Sequence, residues 1–362
     1  MPQRAFALRR SGSAQRPQVI GWTANAAGAA TASPDATGVA TGTITASPTA
    51  STPATEAATA FSRMLYETPY SRHMATALPH VRDRIGQQLF ARVAGPDGAK
   101  HADRIHNRPG PRWFEPGSPI TRVHGDASMF IGGLRALLLQ TLHPAAMRGV
   151  AEHSDFRHDS WGRLARTSRF IAVTTFGAAD DADQSVAAVR RIHEHIVGTM
   201  ADGTPYAASD PHLLGWVHVA EIDSFLRAHT VYGREPLTGA DRDTYVAQTA
   251  EVARRLGVVD PPTTEAELAA ALAAYRPELR STPEARATVG YLLLRPPLPV
   301  LARAPYGVIA AAAIGLMPRW TRLPLRLPWL PVSERTVVRA LGGVATGTIR
   351  WAMTPREPVH PS

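Results

Sequence analysis

The sequence predicts one large, mainly α domain over residues 61–358, behind a disordered tail over residues 1–60. Three observations predict it. Capping residues repeatedly precede apolar stretches with helical spacing. Val-rich alternating strands are scarce. The first 60 residues are crowded with Ala, Thr, Ser, Pro and Gly. Between Ala24 and Ala60 only Asn25, Asp35, Val39, Ile44 and Glu56 fall outside those five types. Such a stretch cannot bury enough apolar surface to offset its ordering entropy. Arg4, Arg9, Arg10 and Arg16 precede it without an apolar run behind them, so a secretory signal is not expected.

The elements follow in order. Asp126 caps a helix over Ala127–Leu142, apolar nearly all round and therefore central. Pro144 suits the first turn of the next helix. Asp181 or Asp183 opens a helix to about Val197, stopped by Gly198. Asp210-Pro211 reads as N-cap plus N1 before Leu213–Tyr232. Thr264 and Glu267 have capping-box spacing ahead of Leu268–Tyr275. Thr282-Pro283 opens Glu284–Leu294, and Ser333 opens Glu334–Met353. The longest apolar candidate, Tyr306–Met317, has 12 residues between Pro305 and Pro318, too short to span a bilayer.

Composition narrows the chemistry. The 362 residues contain no cysteine and 14 histidines. That excludes disulfides, thiolate-held iron–sulfur clusters, Cys-ligated haem, structural Cys zinc sites and a cysteine nucleophile. Any metal must use His, carboxylate or Tyr. Net charge is +9, and Lys100 is the sole lysine. Most arginines alternate with acids, as in Arg82-Asp83-Arg84, so the excess does not read as a nucleic-acid face. Phosphate-loop, G-x-S-x-G and H-E-x-x-H patterns are missing. The histidines of His193-Glu194-His195 are two apart and point to different faces of a helix.

Three groups bear chemistry. Val186, Val189, His193 and Ile196 share one apolar helical face. The imidazole there is either a core histidine bonded to a carbonyl or an axial ligand to iron. Arg163, Arg166 and Thr167 fall at i, i+3 and i+4, either a solvated, salt-bridged face or a site for haem propionates or a developing anion. Gly125-Asp126, Gln140, His143-Pro144 and His153-Ser154-Asp155-Phe156 form a third group, in which Asp126 is explained as a cap and His143 as a complement to a helix C-terminus.

Taken in order, Gly125-Asp126, Gln140-Thr141-Leu142-His143-Pro144, His153 to Phe156, Arg163 to Thr167 and Phe176-Gly177 resemble the MpaB/rubber-oxygenase catalytic domain. Ile192-His193, Asp202-Gly203, Tyr206-Ala207, Asp210-Pro211, Trp216-Val217-His218, Tyr232-Gly233 and Leu256-Gly257 continue the resemblance. It implies a mainly α fold holding non-covalent haem b and a haem-dependent oxygenase that uses dioxygen on a hydrophobic, isoprenoid-type substrate. His193 then matches the iron ligand, and Arg163, Arg166 and Thr167 the catalytic residues of the distal side. Arg163, His143 and His153 are further cofactor-binding candidates. Arg166 stands where the latex-clearing branch has a lysine, and Val197-Gly198 where it has Arg-His, so the likeness is to the wider bacterial MpaB-like branch.

Two alternatives accompany that expectation. One is a non-catalytic haem binder with a second ligand from His143, His153 or His218. The other is a membrane-surface interaction protein of the same fold. Residues 287–333 lack any acid and mix arginines with Leu, Trp and Pro, which suits either peripheral contact with an anionic bilayer or packing over the domain. The expected placement is cytoplasmic, with membrane association through this stretch. No nucleic-acid partner is expected.

Overall fold

The computed structural model describes residues 69–153 and 159–354, with side chains from Arg82 onward. The tail over residues 1–60, Ser154, Asp155, Phe156 and residues 355–358 lie outside them. The described chain is mainly helical, as expected. It runs α1 Pro69–Ala94, α2 Gly98–Asn107, α3 Pro119–His124, α4 Met129–Gln140, α5 Pro144–His153, α6 Ser160–Phe176 and α7 Ala179–Glu194. A hairpin of β1 Val197–Thr199 and β2 Pro205–Ala207 follows, then α8 Pro211–Tyr232, α9 Gly239–Leu256, α10 Glu265–Ala274, α11 Pro283–Leu294 and α12 Val300–Gly315. After the short α13 Arg319–Arg322, a π-helical turn over Glu334–Val338 leads into α14 Arg339–Met353. No helix among the described residues is long and apolar enough to cross a membrane.

Three of the expected caps form. Asp210 accepts from the His212 amide at 2.9 Å, Thr264 from Glu267 at 3.1 Å and Thr282 from Ala285 at 3.1 Å. The Thr264 box is half made, because the Glu267 carboxylate turns to the Thr263 amide at 2.7 Å. The complete box belongs to α9, where Thr238 and Asp241 exchange two 3.1 Å bonds.

Four boundaries need correction. The helix after Asp126 starts at Met129, because Asp126 accepts from the Ser128 amide at 2.7 Å and makes a turn first. The helix expected to open at Asp181 or Asp183 and reach Val197 opens at Ala179 without a side-chain cap and stops at Glu194, because Val197–Thr199 pairs antiparallel with Pro205–Ala207. Gly198 is therefore not a helix stop. It lies opposite Tyr206, and a Cβ there would sit 2.5 Å from the Tyr206 hydroxyl. The apolar helix around Tyr306 begins at Val300 and runs through Pro305. Proline has no amide to donate to the Leu301 carbonyl, which the 93 % exposure of Leu301 leaves open to water. Ser333 does not cap its helix, since the helical path already begins at Pro331.

The α4–α8 pair is the centre of the domain and its most extensive helix contact. Gly132 allows the close approach, since a Cβ would meet Phe225 and Ala228 at 3.0–3.2 Å. One side of this pair packs Ile120, Val123, Phe225, Tyr245 and Leu268 from α3, α8, α9 and α10. The other packs Leu138, Leu139, Trp216, Ala220, Val289 and Met317. Each large apolar side chain buried this way contributes roughly 1.5–3 kcal/mol. Inside the pair, Arg135 donates to Asp223 and Ser224, both at 2.6 Å, and to the Leu316 carbonyl at 2.9 Å.

The last helix is clasped to this centre. Arg350 donates to both oxygens of Asp126, at 2.8 and 2.7 Å, and to the Tyr232 carbonyl. Burial alone would raise the Asp126 pKa. The Arg350 and Ser128 hydrogen bonds outweigh it and hold the carboxyl below its usual range.

Candidate functional site

His193 sits in the last turn of α7, on the face that the sequence spacing identified. Val186 is buried there, and Val189, His193 and Ile196 are half-buried, whereas Arg190, Arg191, Ile192, Glu194 and His195 are exposed. Burial lowers the His193 pKa, so the ring is neutral. Its Nδ1 is buried and has no hydrogen-bond partner among the described residues. The carbonyl-bonded core histidine is therefore not what Nδ1 shows.

The three residues on α6 part company. Asp159 caps the helix by accepting from the Gly162 amide at 3.1 Å, and its other oxygen takes Arg166 Nη1 at 3.0 Å. Arg166 is thus an exposed, salt-bridged side chain. Arg163 is half-buried, and burial, followed by the neighbouring charge of Arg166, lowers its pKa. Thr167 remains exposed.

His143 and His153 both have neighbours. His143 lies 3.7 Å from Glu278 and beside the Trp216 ring, with centroids 6.1 Å apart. Burial lowers its pKa more than Glu278 raises it. His153 Nε2 is 3.1 Å from the Val197 carbonyl, and the ring meets Tyr206 edge-on. The two histidines therefore brace the chain around α5 and the hairpin.

A second set of groups converges where α3, α6, α8 and α9 meet. His124 Nδ1 lies 2.8 Å from Thr175 Oγ1 and its Nε2 3.2 Å from the Tyr245 hydroxyl. Burial pushes His124 down to about 3. On α8, burial pushes His218 down to about 4 and Glu221, one turn later, up to about 7. His218 Nε2 has no partner, and no hydrogen bond or ion pair engages Glu221 among the described residues. Burial, and after it the charge of Glu221, raises the Tyr245 pKa.

His218 and Glu221 are shifted as deep groups are, yet each keeps some accessible area. Glu221, which holds its proton up to about pH 7, and the neutral His218 stand one turn apart on α8, a pair suited to proton exchange. Helix α9 packs on both α7 and α8.

Sequence reasoning passed over Glu221, His124 and Tyr245. Glu221 sits in Val219-Ala220-Glu221-Ile222-Asp223, where a carboxyl one position off the apolar face looks like an ordinary exposed acid. Its one available signal was spacing: His218, Glu221 and Phe225 fall at i, i+3 and i+7 on one face of α8.

No group of three or more His, Asp or Glu side chains able to hold a metal ion occurs among the described residues. The sequence matches the family model described as ER-bound oxygenase mpaB/B'/Rubber oxygenase, catalytic domain, over residues 121–347. The match runs from α3 into α14 and includes every candidate residue above. Neither the curated proteins nor the solved structures contain a match to the chain. With more than half its length inside the family model, the chain belongs to the MpaB/rubber-oxygenase family of oxygenase-type catalytic domains.

Proposed function

We propose that the chain is a haem b-dependent oxygenase, an oxidoreductase acting with dioxygen on a hydrophobic substrate of isoprenoid type. The observation that carries this reading is His193: a neutral, half-buried imidazole with an unpartnered Nδ1 on an apolar helical face. The donor set fits the group. Without cysteine, histidine is the natural protein ligand, and haem iron needs one such side chain where a chelated ion needs several. When bound, haem supplies the iron chemistry that turns dioxygen on a carbon–carbon double bond.

The chain's own residues do the remaining work. His193 would hold the iron, and Val186 and Val189 beside it would shield the porphyrin face from water. Arg163, turned into the protein, would hold a propionate carboxylate. Thr167, accessible one turn further on, would donate a hydrogen bond on the dioxygen side. Arg166 would do the same after leaving Asp159. Glu221 would hold or release a proton at its carboxyl oxygen near neutral pH, with His218 as a neutral neighbour. His143 and His153 would position α5 rather than touch the cofactor.

The test is the optical spectrum of purified, haem-reconstituted protein. A Soret band is expected, and it should be lost or shifted in His193→Ala. An unchanged Soret band in that variant removes His193 from the iron. A colourless parent after reconstitution removes haem from the proposal.

The free Nε2 of His218 supports a second reading, a haem carrier with two protein ligands. Carbon monoxide separates the two. Ready binding to the ferrous protein favours the oxygenase, and resistance that His218→Ala relieves favours the carrier.

A further inference from the structure

The chain's positive charge is not spread over the molecule. Residues 285–354 contain nine arginines and one carboxylate, Glu334, so nine minus one gives eight of the nine net charges. Glu334 offers nothing to a partner outside, since it accepts from Arg322 at 2.6 Å and from the Leu330 amide at 3.0 Å. Arg295, Arg303, Arg319, Arg326, Arg335 and Arg339 are all exposed, and none has a carboxylate partner among the described residues.

The same region carries an apolar stripe. Along the π-turn and α14, Val337, Leu341, Val344, Thr348 and Trp351 follow a 4-3-4-3 spacing and lie on one face. Val337 is 59 % exposed, Leu341 47 %, Val344 66 % and Trp351 43 %. Trp329 and Leu330, 49 % and 58 % exposed, continue it at the N-terminal end. The opposite face of α14, with Gly342, Thr346, Ile349 and Ala352, is buried against the domain. The stripe is therefore an outer face and not the one that holds the helix in place. Arg335 and Arg339 stand one turn apart beside it, and Arg319 lies over the Trp329 ring at 4.2 Å.

We propose that this outer face, from Trp329 to Trp351, docks the protein onto an anionic phospholipid surface. Exposed Leu, Val and Trp on a helix lying parallel to the surface enter the headgroup–acyl boundary, while flanking arginines meet lipid phosphates. Tryptophan at both ends suits the interface, where one edge of the ring is wet and the other apolar. The 4-3-4-3 spacing would also suit helix pairing with a second copy. Charge decides against that, because two such faces would bring together arginines with no acids to answer them. The acid-free stretch 287–333 thus supplies only the first part of the surface, which extends onto α14. The proposal is independent of the cofactor.

The experiment is flotation of the full chain with vesicles of phosphatidylglycerol in phosphatidylcholine, compared with phosphatidylcholine alone. The protein should float with the anionic vesicles, with a blue shift in tryptophan emission, and stay behind with the neutral ones. The double variant Leu341→Glu, Val344→Glu should lose binding by at least about tenfold. Val259→Glu, placed at a 67 % exposed valine outside the stripe, should bind as the parent does. Circular dichroism checks that the double variant keeps its helix content, and both sites are exposed enough to accept the change. Failure to float, equal binding to neutral vesicles, or an unaffected double variant would overturn the proposal. So would a dimer that the double variant splits while vesicle binding is absent.

Discussion

The two faces of helix α8 treat a buried carboxylate in opposite ways. Asp223, 5 % exposed, faces α4 and meets Arg135 at 2.6 Å. Glu221, two residues earlier, has no such partner among the described residues and holds its proton up to about pH 7. The same helix thus carries a paired charge that organises the core and a carboxyl that burial keeps protonated. A buried polar group satisfied inside the protein reads as architecture. One left unsatisfied is evidence of something still to be bound.

The largest test of this contrast is on the paired side. Asp223→Ala leaves the Arg135 guanidinium, 2 % exposed, without its counter-charge. Breaking a buried pair in this way costs about 3–5 kcal/mol. Thermal unfolding should show a clear fall in Tm, and a loss under about 1 kcal/mol would remove the pair from the architecture of the core.

The unpaired side predicts the opposite sign. Glu221 has a folded pKa of about 7 against an ordinary 4.5. The unfolded chain gives up this proton first, so the group's penalty on stability grows as pH rises from about 4.5 and levels off above about 7. Glu221→Gln removes that penalty. The variant should be more stable than the parent by about 2–3 kcal/mol above pH 7, with the gain fading towards pH 4.5. Denaturant titrations across that pH range measure it. A variant that is less stable at every pH would mean that Glu221 is charged and paired.

Asp126 is the third case, a pair nearer the surface. Its folded pKa is lowered, so its contribution is present at neutral pH and is lost as pH falls through that folded value. Asp126→Asn should cost about 2 kcal/mol at neutral pH and flatten the acid limb of the stability profile. An unchanged acid limb would mean that the Arg350 clasp carries no weight.

These cases also explain what the sequence could and could not reveal. The inward face of α7 was legible, because Val186, Val189 and His193 repeat at helical spacing within one element. Most capped helices were legible for the same local reason. The partner of Asp126 was not, because Arg350 lies 224 positions away. Nor was the shift of Glu221, because burial is set by tertiary packing and not by its local sequence. The β1–β2 hairpin escaped because three-residue strands carry no periodicity. The perturbed groups of α8 are therefore a property of the packing, and only the His193 part of the site could be read from one segment of chain.

His193 should give the smallest change in stability of all. In the apoprotein its ring is half-buried, neutral and without a hydrogen bond to Nδ1, so His193→Ala removes some apolar contact and breaks no bond there. The expected loss is within about 1 kcal/mol. Thermal unfolding of the apoproteins should accordingly give nearly matching Tm values for parent and variant. After haem addition only the parent should gain stability, because a ligand that binds the folded state alone raises Tm by mass action. A large loss in the apo variant would put His193 with Asp223, among the groups that build the domain. An equal gain with haem in both proteins would place the iron ligand elsewhere, and His218, whose Nε2 is also unpartnered, is then the next histidine to change.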